Sequence, residues 1–265
     1  MSVLSLLTDF GIQDGFIGVM KGVIWGIFPD VKIADISHQI QPQNILQGAI
    51  TLWRAAPFFP EGSVHVAVVD PGVGTKRRAI AAQLGTQFYV APDNGLLTPL
   101  IQDAKSQGFF HNFVELTNPN YWLSDISTTF HGRDIFAPVG AYLASGIKLE
   151  DFGPQIDDPI LIELPQPIKT QAGWQAHVVA IDIFGNIGTD LLAEQLKDFE
   201  DIVIRLKGRE IEGLVSSFGH REPGELTALV SSNGFIEVAI VNGNAADVLG
   251  VKTGDVVEVL SKSMI

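Results

Sequence analysis

The sequence predicts an α/β fold in two parts: an N-terminal α/β domain with a largely parallel sheet, residues 1–155, and a smaller C-terminal β-barrel domain, residues 168–265. Three observations predict it. Short apolar runs alternate with amphipathic ones through the first half, the order expected of repeated β-α-β units. One run, residues 64–69, is nearly continuously apolar, as a parallel strand buried on both faces requires. Near residue 150 the pattern changes to short alternating runs separated by Gly and Asn turns, which suits a small barrel.

Taken in order, residues 3–7 read as a first strand. Asp14 then caps a helix whose apolar residues Phe16, Ile17, Val19, Met20, Val23, Ile24 and Ile27 are spaced for one face, stopped at Pro29. Residues 31–36 form a second strand, and a helix over 44–58 carries Leu46, Ala49, Ile50, Trp53 and Ala56 inward. After the third strand, residues 78–84 and 87–90 form two more around a Gly85–Thr86 turn. Helices over 96–105 and 133–143 flank a strand near 110–116. Residues 153–167, with four prolines, read as a linker holding an edge strand. Beyond Trp174 the alternating runs are 177–181, 202–206, 226–230, 236–241 and 256–260.

Composition limits function. With 46% hydrophobic and 18% charged residues, the chain can bury a core and is not disordered. The formal charge of −13 opposes a nucleic-acid surface, which needs clustered Lys and Arg, but suits a cationic small substrate. Cysteine is absent, so disulfides, thiolate nucleophiles and Cys-ligated metals are excluded. The apolar stretch from Phe16 to Phe28 is interrupted by Lys21 and falls short of the roughly 20 residues of a membrane span. No basic segment and cleavage site open the chain. The expectation is a cytoplasmic protein with no membrane and no nucleic-acid partner.

Polar residues gather after the strands of the first part. Strand one runs into TDFG (Asp9), strand two into DISH (Asp35, His38), and strand three into VVDPGVGT (Asp70). A later strand runs into APDNGLL (Asp93, Asn94), and STTFHGRD (Phe130, His131, Arg133, Asp134) precedes a helix. Ligands of open α/β sheets bind beyond the carboxyl ends of the strands, so these segments are expected to converge on one pocket. Each alone has a plainer reading. An Asp after a strand can be a cap or turn former. PGVG lacks the lysine of a phosphate-binding loop. His38 reads as a hydrogen-bonded structural residue and His65 as core.

Together, and in this order with IDIFGN near the C-terminus, these motifs resemble the S-adenosylmethionine hydroxide adenosyltransferase family, relatives of S-adenosylmethionine-dependent fluorinases and chlorinases. The resemblance runs from Asp9 to about Ala246. It implies hydrolysis of S-adenosylmethionine to adenosine and methionine, with Asp70, Arg77 and His131 as the water-activating trio. It further implies substrate contacts from Asp9 (ribose), Asp14, Asn94, Phe130 (nucleoside), Asp182 (near the ammonium), Asn186 (adenine edge) and Ala245. The substrate is not a cofactor, and neither cofactor nor metal is expected. Homotrimers with sites at subunit interfaces are implied in the same way. Halogenating relatives replace the Asp and His of the trio and carry a hydroxyl side chain at the position of Gly132. The rival readings are therefore a halogenase, a metal-dependent hydrolase, for which no HExxH-like spacing is present, and a non-catalytic binder of adenosine or S-adenosylmethionine.

Overall fold

A computed structural model describes residues 2–262 of the chain. It divides into two compact units, Met1–Leu164 and Pro165–Ile265.

The first unit is built on a seven-stranded sheet. Its strands are β1 (Val3–Thr8), β2 (Lys32–Ser37), β3 (Val64–Val68), β4 (Ala79–Leu84), β5 (Gln87–Pro92), β6 (His111–Glu115) and β7 (Gln155–Ile156), in spatial order β2-β1-β3-β5-β4-β6-β7. The pairings from β2 to β5 are parallel, and β4, β6 and β7 extend the sheet antiparallel. The predicted edge strand in the proline-rich stretch is β7. Every residue of β3 is buried, and the strand's alternation sorts its side chains between two layers. Val64, Val66 and Val68 pack with Met20 and Ile24 of α1 (Phe16–Ile27) and with α4 (Ala137–Ala144). On the other face Ala67 and Val69 pack with Ala49 and Leu52 of α2 (Ile45–Ala55) and Leu100 and Ile101 of α3 (Thr98–Ser106). Each Val, Leu, Ile or Met side chain so removed from water contributes roughly 1.5–3 kcal/mol, so both layers stabilise the sheet.

Two helix starts contrast. Asn44 caps α2, its side chain accepting from the Gln47 amide at 2.9 Å. Asp14 does not cap α1: Gly15 is the N-cap, no side chain bonds there, and Asp14 is exposed. The buried stripe of α1 is also narrower than its periodicity predicts. Only Met20 and Ile24 are fully buried, while Phe16, Val19 and Trp25 face outward. The predicted helix at 133–143 begins as a wide π turn over Gly132–Phe136, a form frequent at functional sites.

The second unit is an antiparallel, nearly closed barrel. Its strands are β8 (Ile168–Lys169), β9 (Gly173–Ile181), β10 (Ile187–Leu192), β11 (Ile202–Leu206), β12 (Arg209–Glu212), β13 (Leu226–Val230), β14 (Phe235–Ile240) and β15 (Val256–Ser261). The order is β12-β11-β15-β9-β10-β14-β13, with β8 on β9, and a bridge from Val215 to Leu229 draws the end strands together. Val178, Ile187, Ile204, Ile236, Val238 and Val257 fill the interior. A short helix, α5 (Ala245–Leu249), was not anticipated; Asn244 caps it and Gly250 ends it in the left-handed region.

Candidate active site

The loop after β3 carries Asp70, and the chain returns seven residues later with Arg77. Their approach is a forked ion pair: Arg77 Nε donates to Asp70 Oδ1 at 3.0 Å, and Nη2 donates to Oδ2. Both side chains are almost wholly buried, at 8% and 4% exposure, so this charge pair is screened little by water. The guanidinium also lies 5.3 Å from the centre of the Phe136 ring.

The third member arrives from another segment. Arg77 Nη2 is 3.2 Å from His131 Nδ1. A guanidinium has no acceptor, so Nδ1 must accept and a neutral ring carries its proton on Nε2. Burial, then the charge of Arg77, push the His131 ring below the ordinary imidazole range; Asp70 and Asp134 offset this only in part. The ring is therefore held neutral.

Two tight packings place His131. Gly74, at φ +75°, lies so close to the 127–131 segment that an added Cβ would fall 2.2 Å from the Thr128 carbonyl oxygen. Asp134, fully buried, accepts from the amide and hydroxyl of Ser127, each at 2.8 Å, and from Arg133 Nε at 2.5 Å. The STTFHGRD stretch is thus tied to itself at one end and to the PGVG turn at the other.

Around the trio is a cleft of about 400 Å³ lined by Phe10, Phe16, Val68, Asp70, Val73, Ser127, Thr129, Phe130, His131, Gly132 and Arg133. Three aromatic rings meet edge to face: Phe130 is 5.8 Å from Phe10 and 5.2 Å from Phe16, centre to centre. Such a wall suits the flat face of a base, and the Asp70 carboxylate with the Ser127 and Thr129 hydroxyls suits polar groups of a ligand. A Cβ at Gly132 would stand 3.2 Å from both Phe10 and Phe130, so a larger residue there requires the rings to shift.

Of the residues expected from sequence, Asp70, Phe130 and His131 line this cleft, and Arg77 pairs with two of them, Asp70 and His131. Asp9 stands just before Phe10, with Oδ2 accepting from the Gln43 amide at 2.8 Å. Asp14 lies on the exposed loop before α1. Asn94 has its amide group engaged locally, donating to the Val69 carbonyl at 2.9 Å and accepting from Leu96 N at 3.2 Å. Its neighbour Asp93 is buried against Arg78.

The remaining three belong to the second unit. Asp182 closes its own turn, Oδ1 accepting from Phe184 N and Asn186 N, and Oδ2 accepting from Asn186 Nδ2 at 2.8 Å. Ala245 opens α5 with its side chain fully buried. The turn and the helix are joined, since Ala246 N donates to the Gly185 carbonyl at 3.0 Å. Among the described residues no group of three or more His, Asp or Glu side chains is arranged to hold a metal ion.

The site residues that sequence missed are Phe10, Phe16, Val68, Val73, Ser127 and Thr129. All lie within or beside motifs already singled out, so proximity was their only signal.

Known proteins resemble this chain over nearly its whole length. A family model described as SAM hydroxide adenosyltransferase N-terminal domain matches residues 4–153, and one described as the C-terminal domain of the same family matches residues 176–258. A protein of Salinispora tropica named (R)-S-adenosyl-L-methionine hydrolase is 43% identical over 255 residues, 95% of each chain. At greater distance, a protein of Nocardia brasiliensis named fluorinase is 28% identical over 292 residues, 97% of this chain and 96% of its own. The crystal structure of an uncharacterised conserved protein from Thermotoga maritima superimposes with a TM-score of 0.90 at 35% identity, over 97% of this chain and 99% of that one.

Proposed function

The chain belongs to the S-adenosylmethionine hydroxide adenosyltransferase family, and we propose that it hydrolyses S-adenosyl-L-methionine to adenosine and L-methionine. The observation that carries the reading is the convergence of Asp70, Arg77 and His131 at one aromatic cleft.

The reaction is an in-line displacement at the ribose 5′-carbon. A bond forms from the water oxygen to that carbon while the carbon–sulfur bond breaks, its electron pair going to sulfur. The sulfonium becomes a neutral thioether, so the leaving group needs no acid. The water must be held opposite sulfur and must lose a proton. Holding it in a closed site supplies up to roughly 7–11 kcal/mol of the barrier. Since Arg77 occupies the His131 lone pair and the ring is also tied to the Ser127 backbone, Asp70 is the acceptor for the water proton, and His131 helps to shape the place where the water sits. Arg77 orients Asp70 through its fork. Asp9 and Phe130 bind the ribose and the nucleoside, and Asp14, Asn94, Asp182, Asn186 and Ala245 complete the substrate contacts that the family resemblance implies. No cofactor is required. A cytoplasmic homotrimer belongs to the same proposal, its mass readable by light scattering.

A halogenase is the weaker reading. A halide needs a desolvated nest of small donors, whereas here the cleft presents the Asp70 carboxylate, and Gly132 leaves little room for a hydroxyl side chain.

The deciding experiment incubates chelator-treated protein with S-adenosylmethionine in oxygen-labelled water and analyses the products by mass spectrometry. Adenosine labelled at its 5′-oxygen, together with methionine, is expected. Tight adenosine binding without product would instead support a non-catalytic binder, and product dependent on added metal would support metal-assisted hydrolysis.

A further inference from the structure

The DISH motif has no place in the trio, yet it holds a nearly buried imidazole. His38 is 6% exposed, and an imidazole so enclosed is costly unless its nitrogens find partners. Nδ1 is 2.9 Å from the hydroxyl of Thr8, itself fully buried at the end of β1. Nε2 lies 3.1 Å from Asp35 Oδ1, an electrostatic contact without full hydrogen-bond alignment. Asp35 Oδ2 in turn accepts from Lys21 Nζ at 2.7 Å. Burial acts to raise the Asp35 carboxyl, but Lys21 and His38 outweigh it and hold it below the usual carboxylate range.

With Asp35 anionic, the protons fall into one consistent order. His38 carries its proton on Nε2 toward Asp35, and Nδ1 accepts from the Thr8 hydroxyl. The Thr8 oxygen then accepts from the backbone N–H of Phe10 at 3.2 Å. A rotor that could point anywhere is fixed, and the fixing reaches Phe10, a wall of the cleft. Between Thr8 and Phe10 sits Asp9, held on its other side by Gln43 N. The His38 carbonyl adds a second tie, accepting from Gly11 N at 2.8 Å.

We infer that His38 is a positioning residue for the nucleoside end of the substrate: through Thr8 it sets the Thr8–Phe10 turn, and with it the Asp9 carboxylate and the Phe10 ring. The inference rests on the reading of Asp9 as a ribose ligand. A hydrophobic residue would fill the space of the imidazole but could not accept from Thr8 and face Asp35 together. Glutamine could, with its carbonyl toward Thr8 and its amide toward Asp35.

The test compares His38→Ala, His38→Gln and Thr8→Val with the unmodified protein, by steady-state kinetics on S-adenosylmethionine and by calorimetric titration with adenosine. His38→Ala should raise KM and the adenosine Kd about tenfold, as for one lost hydrogen bond to the binding turn, while kcat changes by less than about threefold. His38→Gln should recover most of that loss. Thr8→Val, nearly isosteric, should reproduce His38→Ala and stands in for it should the alanine variant not fold. Unchanged KM and Kd in His38→Ala or Thr8→Val would overturn the inference. So would an equal fall in kcat and substrate affinity that glutamine does not repair. Absence of turnover in the unmodified protein would count against the hydrolase reading, and the adenosine Kd values would still decide the role of His38.

Discussion

Arg77 Nη2 stands 3.2 Å from His131 Nδ1 while the same guanidinium forks onto Asp70, so one buried cation fixes both the orientation of the carboxylate and the tautomer of the imidazole. Removing it has two separable effects. Asp70 would be left a carboxylate buried without its partner, which costs about 3–5 kcal/mol. His131 would be free to rotate or to take the other tautomer. Arg77→Met should therefore lower the urea midpoint sharply and reduce kcat at least about a hundredfold. Arg77→Lys keeps the charge but not the fork, and should recover stability more than rate. Equal recovery of both would show that the fork itself is dispensable.

The neutral state of His131 makes a second prediction. The imidazole is pushed down by burial and then by Arg77, so protonation should begin only below the usual value of about 6.5. If the neutral ring is the active form, log(kcat/KM) should stay flat on descending through pH of about 6.5 and fall only at lower pH. An NMR titration of the His131 ring should report the same midpoint without reference to activity. A midpoint at or above the ordinary value would mean that the ring is not desolvated as its surroundings require.

How far the sequence discloses this depends on what each signal measures. The run over β3 and the helix that becomes α2 were legible because burial on two faces and an apolar period leave local traces. Asp14 misled because capping is decided by backbone angles: Gly15 takes the cap position, and the carboxylate points to solvent. The periodicity of α1 misled similarly. Phe16 has the spacing of a core residue, yet it is 45% exposed and turns to Phe130 at the cleft, since a helix face reads the same whether it meets a core or a ligand site. The five-residue α5 carried both end signals, Asn244 and Gly250, but is too short to show a period. Asp70 and Arg77, seven positions apart, were legible only through the motif that joins them; nothing local pairs a loop carboxylate with a later arginine.

The closeness of the PGVG turn to the 127–131 segment can be tested with a matched pair of glycines. Gly74 and Gly62 both sit at φ +75°, so alanine carries the same backbone strain at either. Around Gly62 there is open space, whereas a Cβ at Gly74 meets the Thr128 carbonyl at 2.2 Å. Gly62→Ala should cost about 1 kcal/mol and leave kcat unchanged. Gly74→Ala should cost at least about 2–3 kcal/mol and lower kcat, because the segment carrying His131 must retreat. Similar losses from both would mean that strain alone, and not the contact, sets the effect.

Away from the site, His65 offers a pH-dependent stability whose sign follows from its surroundings. The ring is fully buried in β3, 2.6 Å from the Ser5 hydroxyl, stacked at 5.0 Å on Tyr89 and met edge-on by Phe59. Burial pushes its value down to about 4, with Gln87 offsetting only part. The unfolded ring, near 6.5, takes a proton before the folded one does. The neutral imidazole therefore contributes stability that is fully present above pH about 6.5 and is lost progressively as pH falls toward about 4, a difference of roughly 3 kcal/mol. Carboxylates titrate in the same window, so the protein must be compared with a variant lacking only this group. Urea unfolding of the parent and of His65→Asn, measured from pH about 7.5 to about 4, should give curves that converge by roughly that amount at the acid end. The variant would be less stable at neutral pH, having lost its packing against Tyr89, yet less sensitive to acid. Parallel curves would show that the ring of His65 gains its proton as readily inside the fold as outside it.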